Sequence, residues 1–352
     1  MLIVNKLDKS GKPLNELAKN GNSVNKIYRN GEVVFQKLKN EEEAPSPLKM
    51  PLTFNITSSG TINWMASDDT QHRTIEYNLN NTIWRSIISD KTGVKINVSA
   101  GDKIQFKGNN ATYGTSSSSY STFSGSTAGF EVKGNIMSLI NNANFDTLTT
   151  LQDSYTFYSL FRGCTGLTSA QNLILPAMTL ANNCYDSMFM DCSSLISAPV
   201  LPATTLANAC YGNMFRTCKK LATAPELPAT KLAQDCYSGM FRSCQSLKIA
   251  PVLPASETLH GCYWFMFSGC YSLTTVPAIL ATTLKSFSCS GMLGYCGKLN
   301  YIKCLATEIA SNSTGSWVSG IASTGTFVKA SSMTSWPTGD NGIPSGWTII
   351  DA

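Results

Sequence analysis

The sequence is poor in charge and in histidine. Of its 352 residues, 27 are Lys or Arg, 22 are Asp or Glu, and two are His. Charged residues make up 14% of the chain against roughly 25% in a typical soluble protein, which disfavours a disordered, highly charged tail. A net charge of +5 without a long basic run argues against a reader of duplex nucleic acid.

Long hydrophobic runs are also missing. No stretch reaches the roughly 18 apolar residues of a membrane-spanning helix. The opening MLIV is followed by polar and charged residues and is too short for the core of a signal peptide. We therefore expect no membrane insertion, and folding in a reducing cytoplasm where cysteines remain thiols.

Catalytic motifs are absent as well. No nucleophile elbow, P-loop, HExxH or dinucleotide-binding motif stands in its required context. Asp68 and Asp69 form an acidic pair and Asp340 lies in TGDNG, but both patterns favour turns. His260 lies between repeats, where a surface histidine is favoured over a catalytic one. We predict no enzyme, no cofactor and no metal site.

The cysteines, by contrast, are plentiful and regularly spaced. All twelve lie between Cys164 and Cys304. Two series of cysteines each have a step of 26 residues. The first series is Cys192, Cys218, Cys244, Cys270 and Cys296, and the second series is Cys184, Cys210, Cys236 and Cys262. A fixed period of this length is typical of stacked repeats. No CxxC pair occurs, so buried thiols are favoured over metal ligands, and we expect them to be free.

The pattern along the chain predicts a mainly β fold with short helices and turns. Residues 1–38 form a small module with a hairpin around Asn30-Gly31, and 39–51 read as a linker. Residues 52–135 show seven short alternating runs, which predict an antiparallel β-sandwich-like domain, with a long flexible loop at 114–127. Repeats of about six coils fill 136–300, after a short helix or capping turn, and 301–352 form a C-terminal cap.

The repeat unit MFxxCxxLxxAPxLPAxxLxxxCY resembles BspA-like leucine-rich repeats. These occur in surface proteins of Bacteroidales and in proteins of their phages, among which a crAss-like phage fits best. The resemblance covers about residues 52–352. It implies a right-handed leucine-rich-repeat solenoid, used outside a cell or on a virion for adhesion or assembly, with no catalytic residues.

The resemblance, with no export signal recognised, leads us to expect a phage virion structural protein. It would be a head or tail fibre, or a fibre-associated decoration subunit, assembled in the host cytoplasm. Residues 1–38 would hold it to other virion proteins, and a homo-oligomer, dimer or trimer, is expected. The candidate anchor residues are Ile27, Tyr28, Asn30, Gly31, Val33 and Phe35. The alternative is a glycan- or protein-binding adhesin or receptor-binding protein, of a phage or of a bacterial cell surface, with host surface polysaccharide as its ligand.

One surface of the repeats is a candidate for partner binding. Arg162, Arg216 and Arg242 each stand two residues before a cysteine (Cys164, Cys218 and Cys244) and predict a basic row, with a merely solvated face as the alternative. Trp264 and Tyr271 predict an exposed aromatic pair, with capping of the next coil as the alternative. The full candidate partner or glycan surface is Arg162, Arg216, Lys219, Lys220, Arg242, Lys248, Trp264 and Tyr271.

Overall fold

The computed structural model describes residues 46–352 and, before them, the backbone of two strands. These are β1 (Lys26–Arg29) and β2 (Glu32–Gln36), which pair antiparallel and confirm the predicted hairpin. The side chains of the candidate anchor residues, Ile27, Tyr28, Asn30, Gly31, Val33 and Phe35, lie outside the described residues. The chain divides into two compact units, Met1–Ser46 and Pro47–Ala352, and the second contains the β domain and all the repeats.

The second unit begins with two packed sheets. The larger sheet contains β3 (Leu52–Ser58), β5 (Thr74–Leu79), β6 (Trp84–Ile88), β8 (Lys103–Gly108), β10 (Gly129–Asn135) and β11 (Leu167–Ile174), in the order β11-β10-β3-β8-β5-β6. The smaller contains β4 (Gly60–Ala66), β7 (Val94–Val98) and β9 (Ser121–Thr122), in the order β7-β4-β9. The seven predicted alternating runs are all strands. Six of them place apolar side chains on the buried face, whereas β6 lies at the edge of the larger sheet and leaves Trp84 and Ile88 exposed.

Aromatic rings fill the space between these two sheets. The ring of Phe54 in β3 lies 4.8 Å from that of Phe106 in β8, and the ring of Trp64 in β4 lies 4.8 Å from that of Phe123, between centroids. All four are fully buried. Burial of each aromatic side chain contributes about 2–3 kcal/mol, so this cluster fixes the two sheets against each other.

The strands within 52–135 pair antiparallel, but the larger sheet extends beyond this range. Strand β11 belongs to the first repeat, and it pairs parallel with β10. Every other pairing in the larger sheet is antiparallel. The reason is that successive repeats run parallel, and β10 takes the place that a preceding repeat would occupy. The β domain thereby covers the first end of the repeats, which would otherwise expose apolar residues.

The Ser-rich segment 114–127 differs from the predicted flexible loop. It contains β9, and Phe123 within it is fully buried. The Phe123 N–H donates to the Leu160 carbonyl at 2.8 Å, and just before the segment the Tyr113 N–H donates to the Thr156 carbonyl at 2.8 Å. These bonds lead from the β domain into the first repeat. The segment is thus held by backbone pairing that its polar composition does not reveal.

Helical structure in the described residues is confined to short 3₁₀ turns. They are Pro47–Lys49, at the end of the predicted linker, then Ile136–Leu139 and Phe145–Thr147. The last two confirm the predicted capping turn before the repeats. Asn135 caps the middle turn, since its side chain accepts a bond from the Met137 N–H at 3.0 Å. Across the described part of the chain, no helix has the length and apolar character of a membrane span.

The repeats are built on a nine-residue turn segment that recurs seven times. The segments are 155–163, 183–191, 209–217, 235–243, 261–269, 287–295 and 312–320, and each has positive φ at its first, fifth and ninth residues. Within a segment, N–H groups alternate between two acceptors. The Met188 N–H bonds the Tyr185 carbonyl three residues back, whereas the Tyr185 N–H bonds the Cys210 carbonyl of the next repeat at 3.0 Å. Consecutive segments are therefore stacked by backbone hydrogen bonds.

The inner side chains form continuous ladders. Phe161, Phe189, Phe215, Phe241 and Phe267 stack with centroids 5.4–5.8 Å apart, and Phe123 of the β domain precedes them at 5.7 Å. A second ladder runs through Tyr113, Phe157, Tyr185, Tyr211, Tyr237 and Tyr263. Both ladders begin in the β domain, so its core and that of the repeats are one cluster.

The repeated backbone conformation continues past residue 300 into the segment predicted as a cap. Parallel strands β12 (Thr283–Leu284) and β14 (Glu308–Ile309) pair across this boundary. Beyond it, β13 (Tyr301–Cys304), β15 (Thr326–Lys329) and β16 (Thr348–Asp351) form a parallel sheet in that order. In the seventh segment Trp317 takes the place held by Met in earlier repeats, and its ring stacks on that of Trp336 at 5.7 Å. Large rings thus fill the end of the core.

Candidate functional site

The outward side chains of the seven turn segments form one surface, here called the turn face. Its backbone positions with positive φ are occupied by small or turn-forming residues in most repeats, such as Asn183, Ser187, Gly239, Gly261 and Gly269. This choice is expected, because a side chain in the left-handed region costs roughly 1–2 kcal/mol, least for Gly, Asn and Asp. Larger residues at these positions therefore stand out.

The predicted basic row lies on the turn face but is interrupted. Arg216 and Arg242 occupy neighbouring repeats, joined by a 2.8 Å bond from the Thr217 N–H to the Arg242 carbonyl. Arg162 stands two repeats earlier, because the repeat between them carries Met190 at this position. The Arg162 Nε instead lies 3.9 Å from the Asp191 carboxylate. Two adjacent arginines, rather than three, form a basic site.

Partial burial, and next the charge of Arg216, lower the pKa of Arg242 below its usual value. The Arg242 guanidinium also lies over the ring of Phe265, 4.8 Å from its centroid. A cation in this position is attracted by the π-electrons of the ring. Arg242 is thereby held beside a group of aromatic side chains.

We call the three rings of Trp264, Phe265 and Phe287 the aromatic patch. The Trp264 ring lies 5.4 Å from that of Phe265 and 6.4 Å from that of Phe287, between centroids. Trp264 is 40% exposed and Phe287 is 37% exposed. The His260 ring contacts Phe287 at 5.5 Å, and its Nδ1 lies 3.9 Å from the Asp235 carboxylate. The patch therefore has a basic neighbour on one side and a carboxylate–imidazole pair on the other.

The backbone beneath the patch is strained. Phe265 has φ 52° and Phe287 has φ 57°, at positions where other repeats have mostly Gly, Ser, Asn or Asp. Tyr295, which is 64% exposed, has φ 60° in the same repeat as Phe287. Strained backbone of this kind tends to cluster at functional sites. Burial alone does not explain these aromatic residues, because Tyr295 is mostly exposed and more than a third of Phe287 is exposed.

Glycines in the following repeat make room for these rings. A Cβ at Gly291 would overlap the ring of Phe265, and one at Gly320 would lie 3.1 Å from Cδ1 of Tyr295. Both rings therefore lie along the surface over a glycine instead of projecting away from it.

Trp264 and Tyr271 do not form the predicted pair. Trp264 packs in the aromatic patch, whereas Tyr271 follows the buried Cys270 and is 52% exposed. The candidates Lys219, Lys220 and Lys248 are likewise exposed residues beyond the buried cysteine of their own repeats. The Lys248 N–H donates to the Ala222 carbonyl at 2.9 Å, which places these lysines on adjacent repeats. They form a separate group from the arginines of the turn face.

A second cluster on the turn face surrounds Asp186 in the second segment. Burial raises the pKa of the Asp186 carboxyl to about 6. The hydrogen bonds that the carboxylate accepts from Ser187 and Asn183 lower the pKa, but burial has the larger effect. Tyr158 of the preceding repeat lies beside it, and its pKa is raised by its own burial and then by the charge of Asp186. Its polar contacts come from its own segment and from Asn213 of the next, so Asp186 helps to hold the turn and its neighbour together.

The cysteine series have distinct structural roles. In the first series each Sγ donates to a phenylalanine carbonyl of the preceding repeat, as from Cys218 to Phe189 and from Cys244 to Phe215, both at 3.1 Å. The four described thiols of the second series, such as Cys236, make no such bond and fill space beside the tyrosine ladder. All twelve thiols are free and buried, and burial raises their pKa values. Among the described residues no group of His, Cys, Asp or Glu converges as metal ligands would.

An apolar groove lies where the β domain meets the first repeats. Leu48, Met178 and Val200 line it, together with Pro47, Met50 and Leu173. Lys133 is its one ionisable side chain. The groove therefore lacks the pair of acid–base groups that hydrolysis of a glycosidic bond would need.

No protein-family model, curated protein or solved structure matches the chain. The site is therefore defined by its own geometry. Sequence reasoning found Arg216, Arg242 and Trp264 but missed Phe265, Phe287 and Tyr295. One signal for them was present, since aromatic residues occupy repeat positions where other copies have mostly Gly, Ser, Asn or Asp.

Proposed function

We propose that the protein is a non-enzymatic structural subunit of a phage particle. In this proposal it is a head or tail fibre or a fibre-associated decoration protein, located in the virion, and its repeats form a right-handed leucine-rich-repeat solenoid of the BspA-like kind. The resemblance of the repeat motif supports the source. The stacking of seven similar turn segments supports the architecture.

The observation that carries this proposal is the continuity of the stack. Hydrogen bonds join residues about one repeat apart from segment to segment, and two aromatic ladders run from the β domain through the repeats. Each repeat needs its neighbours to bury its apolar face, so the stack is extended rather than folded around a cleft. Such a scaffold is suited to projecting a surface, which is what a fibre or decoration subunit does.

Attachment is assigned in this proposal to residues 1–38. A two-stranded hairpin is marginal by itself in water, and strands β1 and β2 form such a hairpin. The module would gain its stability by docking on another virion protein. Closed symmetry is the rule for soluble oligomers, so we propose a dimer or trimer.

Purified particles test this proposal directly. Mass spectrometry of particles is expected to find the protein at a fixed copy number, and a chain lacking residues 1–38 is expected to fold but to be absent from particles. The same truncated chain, followed by circular dichroism, controls for loss of folding. Finding the intact protein only in the soluble lysate would contradict a virion role.

The aromatic patch supports a second candidate function. Exposed rings beside arginine are enriched at binding surfaces. The second candidate is therefore a glycan- or protein-binding adhesin, or receptor-binding protein, of a phage or a bacterial surface. Binding of the full-length protein to host cells, with and without removal of surface polysaccharide, separates this function from a purely structural one. Equal particle assembly but no cell binding would favour the structural role.

A further inference from the structure

We propose that the aromatic patch, together with Arg216 and Arg242, binds a polysaccharide that carries carboxylate groups. The inference rests on the adhesive form of the proposed function. Sugar rings would lie on the exposed rings of Trp264 and Phe287, while Phe265 holds the Arg242 guanidinium beside them. A carboxylate of the polysaccharide would pair with the two guanidinium groups.

The first argument is the cost of placing these rings. Phe265 and Phe287 occupy the left-handed region at positions where the same fold is formed elsewhere with Gly, Ser or Asn. Phe287 remains 37% exposed, so packing recovers only part of that cost. Observed backbone strain without a packing reason is an indication of function.

The second argument is the presentation of the rings. Phe265 lies over Gly291, which has no side chain to block it. The Trp264 ring lies 5.4 Å from that of Phe265 and 6.4 Å from that of Phe287. Exposed aromatic rings suit the C–H face of a sugar, while the polar turn residues around them can bond its hydroxyl groups.

The third argument is charge. Arg242 lies over Phe265, and Arg216 stands in the adjacent repeat. A planar guanidinium pairs with carboxylate through two parallel hydrogen bonds. Two acids of the turn face have other partners: Asp235 lies 3.9 Å from His260, and Asp191 lies 3.9 Å from Arg162. Neither of these ion pairs includes Arg216 or Arg242, so both guanidinium groups remain available to an anionic ligand.

A protein partner is less well matched to this patch. The exposed aliphatic side chains that a protein interface would bury are Ile196, Val200, Ile249 and Val252, and all four belong to the segments between turn segments. The patch itself is a few rings set among polar turn residues. Its size suits a chain of sugars rather than the apolar centre of a protein interface.

The test uses the full-length protein and defined polysaccharides. Polygalacturonate and alginate carry carboxylates, whereas dextran is neutral, and binding is measured by affinity electrophoresis and calorimetry. We expect binding to a carboxylated polymer that weakens as salt rises. Trp264→Ala and Arg242→Gln should each weaken it about tenfold, the loss expected for one aromatic or charged contact. Tyr271→Ala is the matched control, an exposed aromatic residue of the same repeat outside the patch, and it should leave binding unchanged.

Thermal unfolding distinguishes a ligand site from a structural one. Phe287→Asn should abolish binding yet keep or raise Tm, because Asn tolerates the left-handed backbone better than Phe. A fall in Tm of several degrees would mean that the ring is structural and would overturn the inference. Equal binding to dextran, equal loss with Tyr271→Ala, or no binding to either carboxylated polymer would also overturn it. Incorporation into particles is scored separately, so the virion role stands or fails independently.

Discussion

Alkaline pH is expected to unfold the protein, because its core is built with thiols. All twelve cysteines are free and buried. Burial raises the pKa of Cys262, Cys296 and Cys304 to about 12 from an ordinary value of 9.0, and it raises the others as well. An unfolded chain releases these protons near pH 9, whereas the folded chain retains them. Since the unfolded state then binds fewer protons, the free energy of unfolding must fall as pH rises.

The magnitude follows from the number of thiols. Below pH 8 both states are protonated and the effect is absent. Each thiol lowers the free energy of unfolding by about 0.4 kcal/mol at pH 9 and by about 0.8 kcal/mol at pH 9.5. The twelve together lower it by about 5 kcal/mol at pH 9 and by about 10 kcal/mol at pH 9.5. A typical domain is stable by about 5–15 kcal/mol, so unfolding should occur between about pH 9 and 10.

Denaturant titrations at several pH values measure this effect. Tryptophan fluorescence in urea, with a phosphine reductant present, gives the free energy of unfolding at pH 7, 8, 9 and 9.5. As a control, Cys296→Ser removes one titrating thiol but retains a hydroxyl that can donate to the Phe267 carbonyl. It should reduce the pH slope by about one proton. A free energy at pH 9.5 within about 2 kcal/mol of that at pH 7 would refute the reasoning.

Three further substitutions test the packing and the turn face. Cys244→Ser should cost less stability than Cys236→Ser by about 1–3 kcal/mol in urea titrations, because only the first keeps a carbonyl partner for its hydroxyl; equal losses would contradict distinct roles for the two series. Asp186→Asn should raise the free energy of unfolding by up to about 3 kcal/mol at pH 7 but little at pH 4, since burial raises the pKa of this carboxyl from 3.8 to about 6; an equal gain at both pH values would argue against this cause. Gly291→Ala should lower stability by about 1–2 kcal/mol and displace Phe265, seen as changed ring shifts by NMR, whereas an unchanged spectrum would mean that the ring does not rest there.

The inner half of the repeat could be read from the sequence. The step of 26 residues places Cys, Met, Phe and Leu at equivalent positions, and the structure buries Cys192, Met214, Phe241 and Leu273 completely. An apolar side chain that recurs once in every repeat is buried by stacking on the equivalent side chain of the neighbouring repeat. No tertiary information was needed beyond the period itself.

The join between the β domain and the repeats could not be read in this way. The Ser-rich segment 114–127 has the composition of a loop, and its order comes from bonds such as that from the Phe123 N–H to Leu160. The parallel partner of β10 is likewise supplied from outside the alternating runs, by β11. Both depend on contacts between distant parts of the chain. Composition therefore predicts a domain boundary after residue 135, whereas in the structure β10, before this boundary, pairs with β11, after it.

The grouping of exposed side chains on the repeats was predicted less well than the core. In the turn segments, the direction of a side chain depends on the backbone φ angles and not only on its spacing along the chain. A left-handed residue at every fourth position turns the chain within a single segment. Trp264 and Tyr271, seven residues apart, thus belong to different surroundings, while Trp264 meets Phe287 of the next repeat at 6.4 Å. Spacing along the chain predicts neighbours in a helix or strand, but not here.

At the left-handed positions, the fold requires a particular backbone conformation, whereas the side chain can vary. Hydrogen bonds between neighbouring repeats hold their backbone whatever the side chain, as Ala209, Thr217 and Phe265 at such positions illustrate. Stability alone favours Gly or Asn there, at a difference of roughly 1 kcal/mol per site. A large exposed residue such as Tyr295 in the left-handed region is then a departure from the most stable choice. In a stack of this kind, those departures are a physical guide to binding surfaces. Three of the four aromatic ones, Phe265, Phe287 and Tyr295, lie in the fifth and sixth segments, and Phe265 contacts Arg242.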